Sequence, residues 1–358
     1  VFAVRAEEGG HGGQRLGRRV VPLAPDVVVA RLDAPRREVD GGEATVGGVL
    51  WVKALDGVDI AVHELGGPGG GGGPGGGGGG ALVLAHATGF CGPAMAPLVE
   101  ELAVACRCLA LDERAHGESG APASGDFSWQ GFAGDLLGVV DDLGLERPYG
   151  FGHSCGGSAL LLAEQARPGA FRGLYCYEPV VFPPPPPGTL AQANPLVEGT
   201  RRRREVFGSR AEAYAHFAAK PPFSTLHPSV LRAYVLHGFE DLPDGGVRLR
   251  CRREHEVLIY SNGLVHDAYD HLDEVTCPVT VAYGELSDVM GADHALDLAS
   301  RLPHGRVEVV GGVGHLGPLE DPRAVAASVL SAFGGEAGGE AGGDAAGSGQ
   351  REPGPAGP

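Results

Sequence analysis

The stretch Tyr149-Gly150-Phe151-Gly152-His153-Ser154-Cys155-Gly156-Gly157 sets a serine in G-x-S-x-G spacing between strand-compatible residues and the helical pattern Ser158-Ala159-Leu160-Leu161-Leu162-Ala163. That arrangement suits a nucleophile. Ser154 must sit on a strained strand-to-helix turn with its Oγ projecting, and glycines at 152 and 156 remove side chains that the adjoining strand and helix would crowd. Backbone N–H groups at the start of the helix can then bind a developing oxyanion. Because the chain holds 62 glycines in 358 residues, the spacing alone would arise by chance, and the flanks on both sides carry the reading.

The elements that would position this serine alternate between strand and helix. Val49-Leu50-Trp51-Val52 and Val58-Asp59-Ile60-Ala61-Val62 flank Asp56-Gly57, a hairpin signal. Apolar strands follow at Ala81 to Ala85 and Cys106 to Leu111, with amphipathic runs at Met95 to Val104 and Phe127 to Leu143 between them and the serine. Beyond it, strands are expected at Gly173 to Tyr177, Cys277 to Gly284 and Val307 to Val310, and a last helix from about Pro322 to Phe333. Continuous apolar strands in β/α alternation predict an α/β fold, a mostly parallel twisted sheet with helices on both faces. From Thr189 to about Leu272 strand alternation fades, Ser209-x-x-Glu212 forms a capping box, and Pro228 suits a first helical position, so a helical lid is expected. The run Arg201 to Arg204 within it reads as a solvated helix face.

Ser154 follows a middle strand, Asp288 a later one and His315 the last, each at the C-terminal end where open parallel sheets place their sites. This order, with the Gly152-His153-Ser154-Cys155-Gly156 elbow, resembles the α/β-hydrolase fold family over roughly Val49 to Phe333, and within it lid-bearing Ser-Asp-His hydrolases. The resemblance implies Ser154 as nucleophile, His315 as general base and then acid, and Asp288 as the carboxylate that orients the imidazole. Glu178 also follows a strand and is the alternative acid, because some members of this fold carry it there. Epoxide hydrolases and haloalkane dehalogenases of the fold use an Asp at the elbow, so Ser154 favours acyl-type hydrolysis. The oxyanion donors implied are the N–H groups of Cys155 and Thr88. His86-Ala87-Thr88-Gly89-Phe90 has Ala87 where the family carries Gly, which leaves Gly89 or Phe90 as alternatives to Thr88. The stretch Asp112 to Ser119 resembles the family's D-x-R-G-x-G-x-S, with Ala115 for Gly, and reads as structural. Phe90, His153, Phe217, Phe223, Tyr234 and Phe239 are the candidate pocket residues.

The formal charge of −17 argues against nucleic acid or an anionic membrane as partner. No apolar run approaches the roughly 20 residues of a membrane span, and no stable insertion is expected. Seven cysteines, an odd number without paired C-x-x-C spacing, read as reduced thiols, and no cofactor or metal is expected. Cys106 and Cys108 alternate along a strand toward one face and read as core. The organisation expected is an irregular segment over 1–43, a hydrolase core over 44–179 with a Gly-rich loop at 66–80, a lid over 180–272, a second core part over 273–333, and a disordered Gly/Ala-rich tail over 334–358. A chain opening on Val1 suggests a fragment or processed form; the expected location is cytoplasmic, with organelle targeting as the alternative. Nothing in the sequence sets the oligomeric state. The activity expected is cleavage of a small apolar carboxylic ester or related acyl compound through an acyl-enzyme. The alternatives are C–C bond hydrolysis or a lyase-type reaction by the same residues, and non-catalytic ligand binding.

Overall fold

A computed structural model describes residues 48–66, 80–103, 106–184, 194–263 and 265–334. The expectations for the N-terminal segment and nearly all of the Gly-rich loop and tail lie outside the described residues. In chain order the strands are β1 (Val49–Lys53), β2 (Asp59–Gly66), β3 (Ala81–Ala85), β4 (Arg107–Leu111), β5 (Tyr149–His153) and β6 (Gly173–Tyr177). An insertion holds the short strands β7 (Val206–Phe207), β8 (Phe239–Asp241) and β9 (Val247–Leu249), and the chain then returns through β10 (Val279–Gly284) and β11 (Gly305–Val310). The main sheet runs β1-β2-β4-β3-β5-β6-β10-β11. It is parallel from β4 to β11, and β2 is antiparallel to both β1 and β4. Gly57 closes the β1–β2 hairpin at φ +87°, a left-handed conformation that glycine adopts without strain.

Every residue of β5 and β6 is buried, which explains why their sequences show no polar alternation: both faces are covered. On one face α2 (Trp129–Asp142), α3 (Cys155–Ala166) and α8 (Ala292–Arg301) close over Val83, Leu109, Leu174, Val279 and Val281. On the other, α1 (Ala96–Leu102) and α10 (Pro322–Gly334) pack on Leu84, Phe151, Tyr175 and Tyr177. Cys106 and Cys108 lie in this second layer with their sulfurs 3.7 Å apart, and all seven cysteines are free and buried.

The insertion contributes α4 (Pro195–Arg201), α5 (Arg210–Ala218), α6 (Pro228–His237) and α7 (Arg253–Asn262). Ser209 caps α5 by accepting from the Glu212 N–H at 3.1 Å, and Pro228 opens α6. The insertion is not all helical: β7, β9 and β8 form an antiparallel sheet. Strands of two and three residues are too short to show period-two alternation, and their pairing is non-local. Phe207, Phe217, Leu231, Tyr234 and Phe239 form a third apolar cluster that reaches Ala87 and Phe90 of the main domain. Helix α9 (Gly317–Glu320) also joins it through Leu319. Among the described residues no helix is long and apolar enough to cross a membrane.

Candidate active site

Ser154 stands between β5 and α3 at φ +56°, ψ −115°, a conformation that costs a non-glycine residue about 1–3 kcal/mol. The surroundings impose it. A Cβ on Gly152 would lie 2.5 Å from the Gly156 carbonyl oxygen, and one on Gly156 would lie 2.3 Å from that of Ala85, so neither position admits a side chain. The Ser154 N–H donates to the Tyr177 carbonyl at 2.9 Å and ties the turn to the neighbouring strand.

His315 lies in the loop after β11, and its Nδ1 is 2.7 Å from Glu178 Oε2. Glu178 directly follows β6 at φ +46° and is fully buried. Its Oε1 accepts from the Gly284 N–H at 2.9 Å, and its Oε2 accepts from the Ser287 hydroxyl at 2.8 Å. The carboxylate that meets His315 is therefore Glu178, and the sequence-based choice of Asp288 is corrected. At the end of β10 the chain turns the Ser287 hydroxyl inward onto Glu178 and leaves Asp288 exposed. His153, expected in the pocket, is instead buried behind it: its Nε2 bonds the His315 carbonyl at 2.8 Å. Tyr177 adds a second brace, its hydroxyl donating to the Gly314 carbonyl at 2.7 Å.

Opposite the elbow, the turn after β3 carries the other predicted oxyanion donors. The Gly89 N–H donates to His116 Nε2 at 2.9 Å and the Phe90 N–H to the Ala87 carbonyl at 3.1 Å. Both alternatives to Thr88 are thus committed elsewhere. The turn rests on two neutral imidazoles: His86 Nδ1 bonds the Ala87 carbonyl while its Nε2 accepts from the Glu113 N–H, and His116 Nδ1 bonds the Arg114 carbonyl. Burial lowers the pKa of His86 and takes that of His116 down to about 3, so both stay uncharged. Atoms of His86, Glu113 and His116 come within 4.8 Å of one another, but the trio does not fit a cation. Each imidazole has both nitrogens committed to the backbone. Burial, reinforced by Asp135, raises the Glu113 carboxyl well above its usual range beside the Cys155 thiol.

The stretch from Asp112 to Ser119 holds this scaffold. Asp112 accepts from Gly92 and Glu118 N–H groups and pairs with His63 at 2.8 Å. Arg114 forks onto Asp135 through two bonds of 2.7 Å.

Ser154, His315 and Thr88 open on one cavity of about 410 Å³. Phe90, Phe217, Phe223, Leu196 and Leu316 form its apolar wall. Tyr234 and Phe239, also predicted to line it, are packed behind that wall: Tyr234 lies 5.4 Å from Phe90 and 5.6 Å from Phe217, ring centre to ring centre. The lining also has a polar part with Arg203, Glu256 and Tyr260, none of which the sequence reading placed in the pocket. Arg201, Arg202 and Arg204 are exposed as a solvated run requires, but Arg203 turns inward to Glu256. Helix α4 has ended at Arg201, so no helical period governs where Arg203 points.

The model of the alpha/beta hydrolase family matches residues 82–328, well over half the chain. A curated relative named "Putative carbamate hydrolase RutD", from Caulobacter sp. (strain K31), is 25% identical over 289 residues, spanning 78% of this chain and 98% of the relative. Among solved structures, E-2-(acetamidomethylene)succinate hydrolase superposes with a TM-score of 0.66 at 20% identity, over 80% of this chain and 98% of that one. An esterase from Exiguobacterium antarcticum superposes with a TM-score of 0.59 at 18% identity, over 78% and 97%. At such identities the superpositions speak for the fold alone, and they agree with the parallel sheet and its covering helices. With the family model running from within β3 through β11, and a serine elbow sharing a cavity with a carboxylate-bound histidine, the chain belongs to the alpha/beta hydrolase family.

Proposed function

We propose that the chain is a serine hydrolase that cleaves a small acyl compound, a carboxylic ester in the first instance, through an acyl-enzyme. The observation that carries this reading is His315, held by the buried Glu178, opening on the same cavity as the strained Ser154. In the reaction Ser154 Oγ attacks the acyl carbonyl while His315 takes its proton, and Glu178 stabilises the resulting imidazolium. The N–H groups of Thr88 and Cys155 receive the oxyanion. His315 then protonates the leaving group, and a water activated by the same imidazole releases the acid. The insertion serves as a lid, with Phe90, Phe217 and Phe223 limiting the acyl group.

A p-nitrophenyl ester chain-length series tests this. A burst of p-nitrophenol equal to the enzyme concentration, followed by slower turnover, is the expected signature of an acyl-enzyme. Neither a burst nor steady-state release of p-nitrophenol from any ester of the series would remove the reading. Carbamates and amides belong in the same assay, because the curated relative's name is that of a carbamate hydrolase and such bonds need the same residues.

A further inference from the structure

The polar wall of the cavity is built around a guanidinium whose bonding is incomplete. Arg203 Nη1 donates to Glu256 Oε1 at 3.0 Å, and Nη2 lies 2.5 Å from Oε2. Arg203 Nε is buried and meets no hydrogen-bond acceptor among the described residues, so Glu256 satisfies one edge of the guanidinium and leaves Nε over. Leaving a buried donor of a charged group unmatched costs about 1–3 kcal/mol or more. The guanidinium is a rigid fork shaped for a carboxylate. The pair also sits against the oxyanion turn: a Cβ on Gly89 would stand 2.9 Å from Glu256 Oε1 and 3.4 Å from Arg203 Nη1.

We infer that the acyl group of the substrate carries a carboxylate a few carbons from the scissile carbonyl, and that Arg203 receives it. The inference rests on the serine-hydrolase reading of this site and deepens it to a substrate class, the short dicarboxylic half-esters or half-amides. Charge supports it. The chain is strongly acidic at −17, yet among the described lining residues Glu256 is the one acid, against Arg203 and Lys220, with His216 beside them. Burial raises the pKa of Glu256, with Arg203 opposing. An arriving carboxylate can therefore be accommodated by protonating Glu256, without two anions sharing one guanidinium. A purely structural latch between insertion and oxyanion turn would explain the ion pair but not the buried Nε left without an acceptor.

The test compares kcat/KM for p-nitrophenyl hemisuccinate and p-nitrophenyl valerate in the full chain, in Arg203→Gln, and in Arg203→Gln/Glu256→Gln. The double variant avoids stranding a buried carboxylate. Wild type should prefer the hemisuccinate by about 10- to 100-fold, the range of a charged hydrogen-bonded contact, and both variants should lose that preference. Calorimetric titration with glutarate gives a second reading that needs no turnover; its affinity should fall at least about tenfold in both variants. Equal use of the two esters by wild type, or glutarate binding untouched by either variant, overturns the inference while leaving the serine-hydrolase reading in place. Absence of turnover and of covalent labelling at Ser154 would instead strike that reading, and glutarate binding would still decide the role of Arg203.

Discussion

Replacing Glu178 by Gln separates the charge of this residue from its shape. Three donors converge on the carboxylate: the Gly284 N–H at 2.9 Å, the Ser287 hydroxyl at 2.8 Å and His315 Nδ1 at 2.7 Å. An amide can satisfy them in neither orientation. With its NH2 toward His315, the imidazole must accept at Nδ1, which puts its proton on Nε2 and leaves it unable to take one from Ser154. With its oxygen toward His315, the NH2 opposes the Gly284 N–H, a buried donor–donor contact costing about 1–3 kcal/mol. Steady-state hydrolysis of a p-nitrophenyl ester by Glu178→Gln should therefore fall about ten-thousandfold, the size expected when the orienting carboxylate becomes an amide and the tautomer is wrong. The melting temperature should drop by only a few degrees. Asp288→Asn, at an exposed position, should stay within about threefold of wild type. The reverse ranking, a large loss for Asp288→Asn and a small one for Glu178→Gln, would refute the reasoning.

Other expectations follow from the same geometry. Gly156→Ala should lower stability by about 1–3 kcal/mol or more in urea titration and abolish ester turnover, because its Cβ would stand 2.3 Å from the Ala85 carbonyl; a variant with native stability and turnover would contradict this. Phe217→Ala and Phe223→Ala should shift the preferred ester chain length, as both line the cavity. Phe239→Ala, in the packed cluster behind them, should instead cost about 3–5 kcal/mol of stability with its substrate ranking kept. Burial would raise the Asp112 carboxyl, but the His63 imidazolium and the Glu118 N–H hold it down at about 2. A depressed carboxylate stabilises the fold above its unfolded pKa and loses that contribution as pH falls. Urea titrations between pH 5 and pH 2 should therefore show a loss of about 2 kcal/mol in wild type that Asp112→Asn lacks.

The sheet was legible because both faces of its central strands are covered, which writes continuous apolar runs such as Ala81–Ala85 and Gly173–Tyr177 into the sequence. The elbow was legible because backbone crowding at 152 and 156 admits only glycine. The acid was not, since Glu178 and Asp288 both follow strands and the choice depends on how the β10 turn aims Ser287, a three-dimensional fact. The split among the insertion's aromatics was also hidden: Phe217 and Tyr234 are alike in sequence, and only packing places one on the cavity and the other behind it. Arg203 was lost within a run of four arginines whose other members behave as solvated charges.

The account turns on Ser154 being a reactive nucleophile made so by His315. Peptide mass spectrometry after treatment with a fluorophosphonate should find one adduct, on Ser154. The adduct should be absent from Ser154→Ala and form at least about a thousandfold more slowly in His315→Ala, because these residues act as a unit. No adduct in the folded wild type, an adduct on another serine, or labelling of His315→Ala at the wild-type rate would contradict it.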